Sequence, residues 1–345
     1  MELTLDVIQK ITKGAVRVCE ERGRICFHRF TQAQEELYLR EKPWHYYEVF
    51  YTAGVRLHFR TNSEHLYIRL YPSRRIDDRQ EAMKDCVSRS YFSLDVTVDG
   101  SYLASLDNFS QAPLPEEYTE APFVTKVYEK DFALGAGEKT VCVYLPWSAS
   151  AELEAVEVDE GATIEPIETK GKMLVFGDSI TQGYDALHPS RHHIARLPDL
   201  LGTEILNKAL GGSIFYPAIA TYKEDIDPER ILVACGTNDW SATTKEEFVE
   251  NCRGFFEGLR STYPDAKIIA ITPLWRKNYM DVTACGSFFE MEKTLEQIAS
   301  SIPVCTVLQG FDIVPHEEAL FADKRLHPND EGFDRYFAYL SEVLR

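Results

Sequence analysis

The sequence has little positive charge for its length. Its 345 residues include 37 lysines and arginines against 55 aspartates and glutamates, which gives a formal net charge of −18. A surface of this sign repels the phosphates of nucleic acids and anionic membranes, so we expect neither as a partner. No apolar run approaches the roughly 20 residues of a membrane-spanning helix, and the first residues show no signal-peptide pattern. We therefore expect a cytoplasmic protein.

Recognisable metal-binding motifs are also missing. The eight cysteines are scattered, several of them in apolar runs, and none forms a C-x-x-C pair. Three histidines, His188, His192 and His193, lie close together, but no acidic or cysteine pattern accompanies them. We expect no metal and no cofactor, and we expect this histidine cluster to lie on a solvated face.

The length and composition indicate two folded domains. Hydrophobic residues make up 44% of the chain and charged residues 27%, which is an ordinary globular mixture. A single domain commonly has about 100 to 200 residues, so this length suffices for two domains with separate cores. The sequence contains no internal repeat and no low-complexity tract.

Period-two alternation of apolar and polar residues dominates the first half. Such alternation is typical of strands with one buried face, and Asp99-Gly100 between two of the runs predicts a hairpin. No long helix is predicted after the amino-terminal segment. We expect an all-β sandwich over residues 1–165, followed by a linker from Ile164 to Lys170. The alternating runs are Val55 to Phe59, Leu66 to Leu70, Phe92 to Val98 and Val141 to Leu145.

The pattern changes to buried strands and amphipathic helices in the second half. Short unbroken apolar runs are typical of strands covered on both faces, and they occur at Met173 to Phe176, Ile231 to Cys235 and Ile268 to Ile271. Helical stripes separate them, and Thr244 with Glu247 predicts a capping box ahead of the first stripe. We therefore expect a doubly wound parallel sheet over residues 166–345. The stripes run from Phe248 to Leu259, from Phe288 to Ile298 and from Phe333 to Leu344.

Residues suited to acyl transfer follow the predicted strands. Ser179 ends the run Gly177-Asp178-Ser179, Gly212 closes a glycine pair after the strand Ile205 to Ala209, and Asn238 lies in Gly236-Thr237-Asn238-Asp239. A serine at a tight turn suits a nucleophile, while a glycine N–H and an asparagine amide can donate to an oxyanion. Taken singly, each motif is more often an ordinary turn or helix cap.

A histidine stands just before the last predicted helix. His327 lies in Leu326-His327-Pro328-Asn329, and a serine nucleophile requires a base such as imidazole. Asp178 and Asp239 stand beside the candidate serine and asparagine. We expect their carboxylates to hold the loops through hydrogen bonds to backbone N–H groups.

The four motifs, taken in this order, resemble those of the SGNH hydrolases, also called the GDSL esterase and lipase superfamily. The resemblance covers about residues 171–345 and implies a flavodoxin-like three-layer α/β/α domain. It implies that Ser179 is the nucleophile and that His327 is the base. It also implies an oxyanion hole of the Ser179 N–H, Gly212 and Asn238. The G-x-S-x-G elbow of other serine hydrolases is absent around Ser179.

The carboxylate that orients the histidine departs from the family pattern. The family places an aspartate three residues before the histidine, but Lys324 occupies that position here and Asp323 stands four residues before. Asp323 reaches His327 if a one-residue bulge intervenes. Alternatively, a backbone carbonyl holds the histidine and the site is a dyad.

A second resemblance concerns the substrate. The run Phe27-His28-Arg29-Phe30, followed by strands and then the GDS motif, resembles two-domain carbohydrate esterases with an amino-terminal β-sandwich or jelly roll. This implies a serine esterase that hydrolyses short acyl groups, acetyl first among them, on a sugar or oligosaccharide. Two alternatives are an acyltransferase that uses the same serine and a non-catalytic carbohydrate-binding protein.

Four further residues are candidates for substrate contact. Each follows a strand that carries a motif, where loops over the site are expected, and aromatic side chains there can stack on sugar rings. Ordinary packing is an equally good interpretation of each. The sequence leaves the oligomeric state open, as well as the natural substrate and the role of the first domain. The four residues are Tyr184, Asp185, Trp240 and Trp275.

Overall fold

The computed structural model describes residues 1–73, 91–110 and 126–345. Within these residues, the first half of the chain is built mainly of short strands. They are β1 (Thr12–Lys13), β2 (Arg17–Glu21), β3 (Arg24–His28), β4 (Arg56–Thr61), β5 (His65–Ser73), β6 (Ser93–Val98), β7 (Ser101–Asp107), β8 (Tyr128–Ala133), β9 (Lys139–Tyr144), β10 (Ser150–Val158) and β11 (Ile164–Pro166). The helices are α1 (Leu5–Ile11) and α2 (Gln32–Glu41), and 3-10 turns follow at Pro43–His45 and Glu48–Phe50.

These strands form two antiparallel sheets that share one apolar core. One sheet has the order β1-β4-β9-β6-β7, with β11 also paired to β4, and the other has the order β2-β3-β10-β5-β8. Asp99 and Gly100, both with positive φ, make the two-residue turn between β6 and β7. The inward side chains of both sheets pack together, Leu57 and Val96 from one and Ile68 from the other among them. The predicted β-sandwich is confirmed.

The second half contains a five-stranded parallel sheet. Its strands are β12 (Gly171–Gly177), β13 (Thr203–Asn207), β14 (Arg230–Ala234), β15 (Lys267–Ile271) and β18 (Cys305–Leu308), and a small hairpin joins β16 (Val282–Thr283) to β17 (Gly286–Ser287). The order across the sheet is β13-β12-β14-β15-β18. The direction of winding therefore reverses at β12, and ligand sites of doubly wound sheets lie at the carboxyl ends of strands near such a point.

Helices cover both faces of this sheet. They are α3 (Ser179–Gln182), α4 (His193–Leu201), α5 (Pro217–Ala220), α6 (Thr237–Ala242), α7 (Lys245–Thr262), α8 (Phe288–Ser300) and α9 (Asp330–Val343). Helices α4 and α9 pack together on one face, and α7 and α8 on the other. Thr244 and Glu247 form the predicted capping box at the start of α7. The three-layer α/β/α prediction is confirmed.

Residues 29–50 attach the two halves to each other. The Arg29 side chain is fully buried, and its guanidinium donates to backbone carbonyls on both sides of the junction. Leu37 and Phe50 pack in the same core as Leu174 of the parallel sheet. Helix α2 was not predicted, although Thr31 and Gln34 form a capping box at its start. The carbonyls bound by Arg29 belong to Glu48, Tyr51, Asn207 and Ala209.

Two members of the histidine cluster do not lie on a solvated face, so that expectation is wrong for them, whereas His188 is 30% exposed beside Asp95. His192 and His193 are buried, and the ring of His193 stacks on Tyr336 of α9 at 4.1 Å between centroids. Burial disfavours the charged imidazolium and lowers the pKa of His192 to about 3. Both rings therefore behave as neutral packing groups between α4 and α9.

The segment expected to be a linker is held against the sandwich. β11 pairs with β4 along its whole length, and the Ile167 N–H donates to the carbonyl of His58.

Seven of the cysteines are free thiols, and Cys86 lies outside the described residues. Among the helices of the described ranges, none is both long and apolar enough to span a bilayer.

Candidate active site

Ser179 lies on a tight turn at the carboxyl end of β12. The strand ends at Gly177, where an added Cβ would lie only 2.4 Å from the Thr181 side chain. Asp178 caps the short helix α3, because its carboxylate accepts a hydrogen bond from the Ile180 N–H at 3.0 Å. The turn places Ser179 first in this helix with its own N–H donating to no described residue.

His327 and Asp323 form a second turn that faces this serine. The Nε2 atom of His327 lies 2.9 Å from the Ser179 Oγ, and its Nδ1 lies 2.8 Å from Asp323 Oδ2. The other Asp323 oxygen accepts backbone N–H bonds from Arg325, Leu326 and His327 itself. Lys324, which lies between Asp323 and Arg325, adopts a positive φ of 57°. The extra residue of this motif is therefore absorbed in a turn wound around the carboxylate.

The electrostatics of this turn favour an ionised Asp323. Burial opposes the negative charge of Asp323. The hydrogen bond from His327, the charge of that histidine and the hydrogen bonds from backbone N–H groups outweigh this penalty. The pKa of Asp323 consequently lies well below its usual range. A carboxylate that stays charged holds the Nδ1 proton of the imidazole and leaves Nε2 to face the serine.

Asp185 supplies a second carboxylate to the same histidine. Its Oδ2 lies 3.7 Å from His327 Nδ1, and its side chain is fully buried. The neighbouring Tyr184 ring packs on the His327 ring at 5.1 Å between centroids. The sandwich half supports this segment, since Trp147 packs on Tyr184 and donates to the carbonyl of Ala186. Asp185 and Tyr184, which were candidates for substrate contact, thus lie at the site and contact His327.

The other two predicted motifs meet beside the serine turn. Gly212 has a φ of 71°, and among the described residues its N–H has no acceptor. One N–H of the Asn238 amide donates to the Ser213 carbonyl at 3.0 Å, which fixes the amide and leaves its second N–H available. The Asp239 carboxylate accepts from the Phe215 N–H at 3.0 Å, as the sequence led us to expect. The adjacent side chains of Asn238 and Asp239 thus connect the loop after β14 to the loop after β13 through hydrogen bonds.

Burial changes the acidity of the two loop-holding aspartates. It raises the pKa of Asp178 to about 6 and that of Asp239 to about 7, against the opposing effect of their backbone hydrogen bonds. Each accepts a bond from a backbone N–H, Ile180 for one and Phe215 for the other. Both carboxyls lie inside the loops that shape the site.

The two tryptophans lie elsewhere than expected. Trp240 is fully buried in the core under α8, and its indole N–H donates to the carbonyl of Gly286. It presents no face to a sugar ring, which corrects that expectation. Trp275 is 7% exposed, and its ring is covered by His316, stacked at 5.6 Å, and by Phe321. Both indoles are packing residues in this structure.

A cavity of about 200 Å³ opens next to Gly212. One wall comes from residues 38–45 of the first half, and sequence reasoning missed it because no motif there gave a signal. His45 stands nearest, with its Cε1 3.7 Å from the position a Cβ on Gly212 would take. The remaining principal walls are Tyr38, Trp44, Phe176, Tyr216, Ile219 and Phe255.

Within the part of the chain that the structure describes, two groups of side chains bring metal-ligating atoms together. Asp185, Asp323 and His327 have one such atom each within 4.8 Å of one another, and so do Cys19, Glu21 and His28. In the first group, hydrogen bonds within the Ser179 site already occupy both nitrogens of His327 and one oxygen of Asp323. In the second, Glu21 and Glu35 bind the two nitrogens of His28. Neither arrangement adds an unexplained ligand set.

Comparison with known proteins identifies the second half. Residues 175–335 match the model of the GDSL-like lipase/acylhydrolase family. The second half of the chain is thus similar to that family. No curated protein matches the chain. The matched residues include Ser179, His327 and Asp323, which are joined by hydrogen bonds.

Solved structures share the architecture of the whole chain. A salicylyl-acyltransferase from a tetracycline biosynthetic pathway is 22% identical, with a TM-score of 0.76 over 96% of this chain and 92% of that one. A candidate GDSL-like lipase from Bacteroides ovatus is also 22% identical, with a TM-score of 0.73 over 98% and 96%. A family two carbohydrate esterase from Cellvibrio japonicus is 13% identical, with a TM-score of 0.60 over 98% and 96%. These likenesses show that the architecture of a β-sandwich followed by a three-layer α/β/α domain is shared.

Proposed function

We propose that the chain is a serine esterase whose nucleophile is Ser179 and whose base is His327. The observation that carries this proposal is the continuous hydrogen-bonded chain from Ser179 Oγ through both nitrogens of His327 to Asp323. A family of acylhydrolases and a fold shared with esterases support the same reaction class. Asp323 is the orienting member of a triad.

The reaction proceeds through an acyl-serine. His327 Nε2 takes the Ser179 proton while Oγ attacks the ester carbonyl carbon, and the carbonyl oxygen becomes an oxyanion. The N–H groups of Ser179 and Gly212 and the Asn238 amide receive that charge. His327 then returns the proton to the leaving alcohol as the C–O bond breaks. Water attacks the acyl-serine by the same steps, which releases the acid and restores Ser179.

For the alcohol part of the substrate we propose a carbohydrate. Support comes from the shared sandwich-plus-GDSL fold of carbohydrate esterases, one of which is described in complex with cellohexaose. Acetyl is one acyl group that we propose such an enzyme removes, because an acetyl xylan esterase from Butyrivibrio proteoclasticus shares the fold. We also propose a domain division near residues 165 and 166.

Acyl transfer to another hydroxyl is the second candidate function. A salicylyl-acyltransferase has the same fold over nearly the whole chain. The acyl-serine is common to both reactions, and the difference is whether water or a second alcohol intercepts it. Product analysis with added sugar acceptors separates the two, because only transfer gives a new ester.

The test is hydrolysis of p-nitrophenyl acetate, butyrate and octanoate, with acetylated sugars alongside, by the wild type and by Ser179→Ala. We expect turnover by the wild type and its loss, by at least about 1,000-fold, in Ser179→Ala. Ser241→Ala, an exposed serine on α6, is the matched control and should retain activity. Equal rates for the wild type and Ser179→Ala would overturn the assignment.

A further inference from the structure

The cavity beside Gly212 lies on one particular side of the reacting carbonyl. Its lining includes Gly177, Gly212 and Ser213 from the glycine side of the site, whereas Ser179 and Asn238 border it without belonging to that lining and the His327 imidazole is absent from it. In acyl transfer the base protonates the leaving oxygen, so the alcohol lies toward the imidazole. The acyl group then points away from it, along the glycines. The cavity is therefore on the acyl side.

The size of the cavity exceeds what an acetyl group fills. Its volume is about 200 Å³. A dry cavity of about 150 Å³ in another protein is large enough to bind benzene. A methyl group here would leave most of the space unoccupied and would gain few of the available contacts.

The walls are mainly flat and apolar. The Tyr38 and Tyr216 rings lie 5.8 Å apart between centroids, and Phe176, Ile219 and Phe255 close the inner end. Trp44 is 45% exposed at the mouth, where the Lys42 ammonium lies over its ring and over that of Tyr216. Aromatic walls favour offset or edge contacts with a planar ligand.

We propose that this cavity binds the acyl group of the substrate and takes a ring-sized apolar acyl group of the benzoyl class. The inference rests on the proposed function, because it places the acyl group relative to Ser179 and His327. It goes further in assigning the 38–45 segment of the first half as the wall that selects the acyl group. The alcohol part is recognised on the other side of Ser179.

The experiment compares p-nitrophenyl benzoate with p-nitrophenyl acetate, which share one leaving group. Each kcat/KM is divided by the rate constant for hydroxide hydrolysis of the same ester. We expect the corrected value for benzoate to exceed that for acetate at least tenfold. A ratio below one, with active enzyme, would overturn the inference while leaving the serine esterase intact.

Two wall variants test whether this cavity is responsible. Ala242 is exposed and lines the cavity, so Ala242→Phe should occupy the mouth and lower the benzoate-to-acetate ratio at least tenfold. Trp44→Ala should lower the same ratio by raising KM for benzoate. The matched control is Ala338→Phe on an exposed face of α9, which should leave the ratio unchanged. A ratio unaffected by both wall variants would contradict the assignment.

A binding measurement separates this inference from the esterase proposal. The probe is 4-fluorobenzamide, followed by fluorine NMR with Ser179→Ala protein, in which no turnover is needed. We expect line broadening that is lost with Ser179→Ala combined with Ala242→Phe. Broadening with a folded wild type that hydrolyses none of the esters would count against the Ser179 chemistry alone. Absence of broadening in the Ser179→Ala protein would count against the acyl cavity.

Discussion

The Asp323 carboxylate combines two tasks in one side chain. One oxygen accepts three backbone N–H bonds and so builds the turn, while the other holds His327 Nδ1 at 2.8 Å. The positive φ of Lys324 lets the chain close around it. The spacing of four residues between acid and histidine is thus compatible with the same contact that a spacing of three provides elsewhere.

Replacing each carboxylate near His327 separates their contributions. Asp323→Asn should lower kcat by about 1,000-fold or more, because an amide no longer fixes the Nδ1 proton or stabilises the imidazolium. Asp185→Asn should cost less than about tenfold, since its oxygen lies 3.7 Å from Nδ1, beyond hydrogen-bond distance. Steady-state kinetics on a p-nitrophenyl ester measure both. The reverse order of losses would make Asp185 the orienting residue.

The Asn238 amide offers a direct test of the oxyanion hole. Asn238→Ala removes one donor and should lower kcat by about 100- to 1,000-fold. The thermal midpoint should change little, because the side chain is only partly buried and makes one hydrogen bond. Kinetics and a melting curve on one preparation give both numbers. Unchanged kcat would remove Asn238 from the site.

The buried Asp239 should make stability depend on pH. Burial raises its pKa to about 7 in the folded protein, so between about pH 4 and pH 7 the folded chain holds a proton that the unfolded chain has lost. This group therefore lowers stability as pH rises through that window. Asp239→Asn keeps an acceptor for the Phe215 N–H and cannot titrate. We compare the free energy of unfolding in urea at pH 5 and at pH 8. From pH 5 to pH 8 the free energy of unfolding of the variant should rise by at least about 1 kcal/mol relative to that of the wild type. An equal change in both proteins between these pH values would contradict this prediction.

At the scale of elements, the segment from Arg29 to Phe50 joins the two halves and supplies one wall of the cavity. It carries the buried guanidinium that binds carbonyls of both halves, and it continues into the cavity walls at Tyr38, Trp44 and His45. Helix α2 was missed because its apolar face is short and its other side is strongly polar. The Thr31 and Gln34 capping box was the available signal.

Arg29→Met should destabilise the whole protein. The substitution leaves the carbonyls of Glu48, Asn207 and Ala209 buried without their donor, a loss expected to reach about 3 kcal/mol or more. Arg335→Met removes an exposed guanidinium on α9 and should cost less than about 0.5 kcal/mol. Urea unfolding measures both. A small loss for Arg29→Met would show that the junction does not depend on it.

At the scale of the whole molecule, the two halves share their cores. Leu37 and Phe50 pack with Leu174 on one face of the parallel sheet, while Trp147 packs with Met173 on the other. A fragment of residues 166–345 lacks Leu37, Phe50 and Trp147, so both faces of its parallel sheet would be exposed where these side chains pack in the full chain. We expect it to be insoluble or to lack cooperative unfolding, as judged by circular dichroism. A folded and active fragment would contradict the dependence on the first half.

The sequence predicted the layers better than their contacts. Alternation and unbroken apolar runs report which face of a strand is buried, and the four motifs mark the carboxyl ends of strands that a parallel sheet brings to one edge. Which loop covers that edge depends on long-range packing. For this reason the sequence left Trp240 open between substrate contact and packing, and it is buried, while the His192 and His193 rings were expected on a solvated face and are also buried. The cavity walls from the first half were not predicted.

The central claim is that Ser179 carries the acyl group during turnover. It is tested most directly by acid-quenching the enzyme within the first turnovers of p-nitrophenyl benzoate and mapping the added mass by peptide mass spectrometry. The account predicts a benzoyl group on Ser179 of the wild type and none on Ser179→Ala. A modified residue other than Ser179, or rapid turnover with an unmodified Ser179, would contradict it.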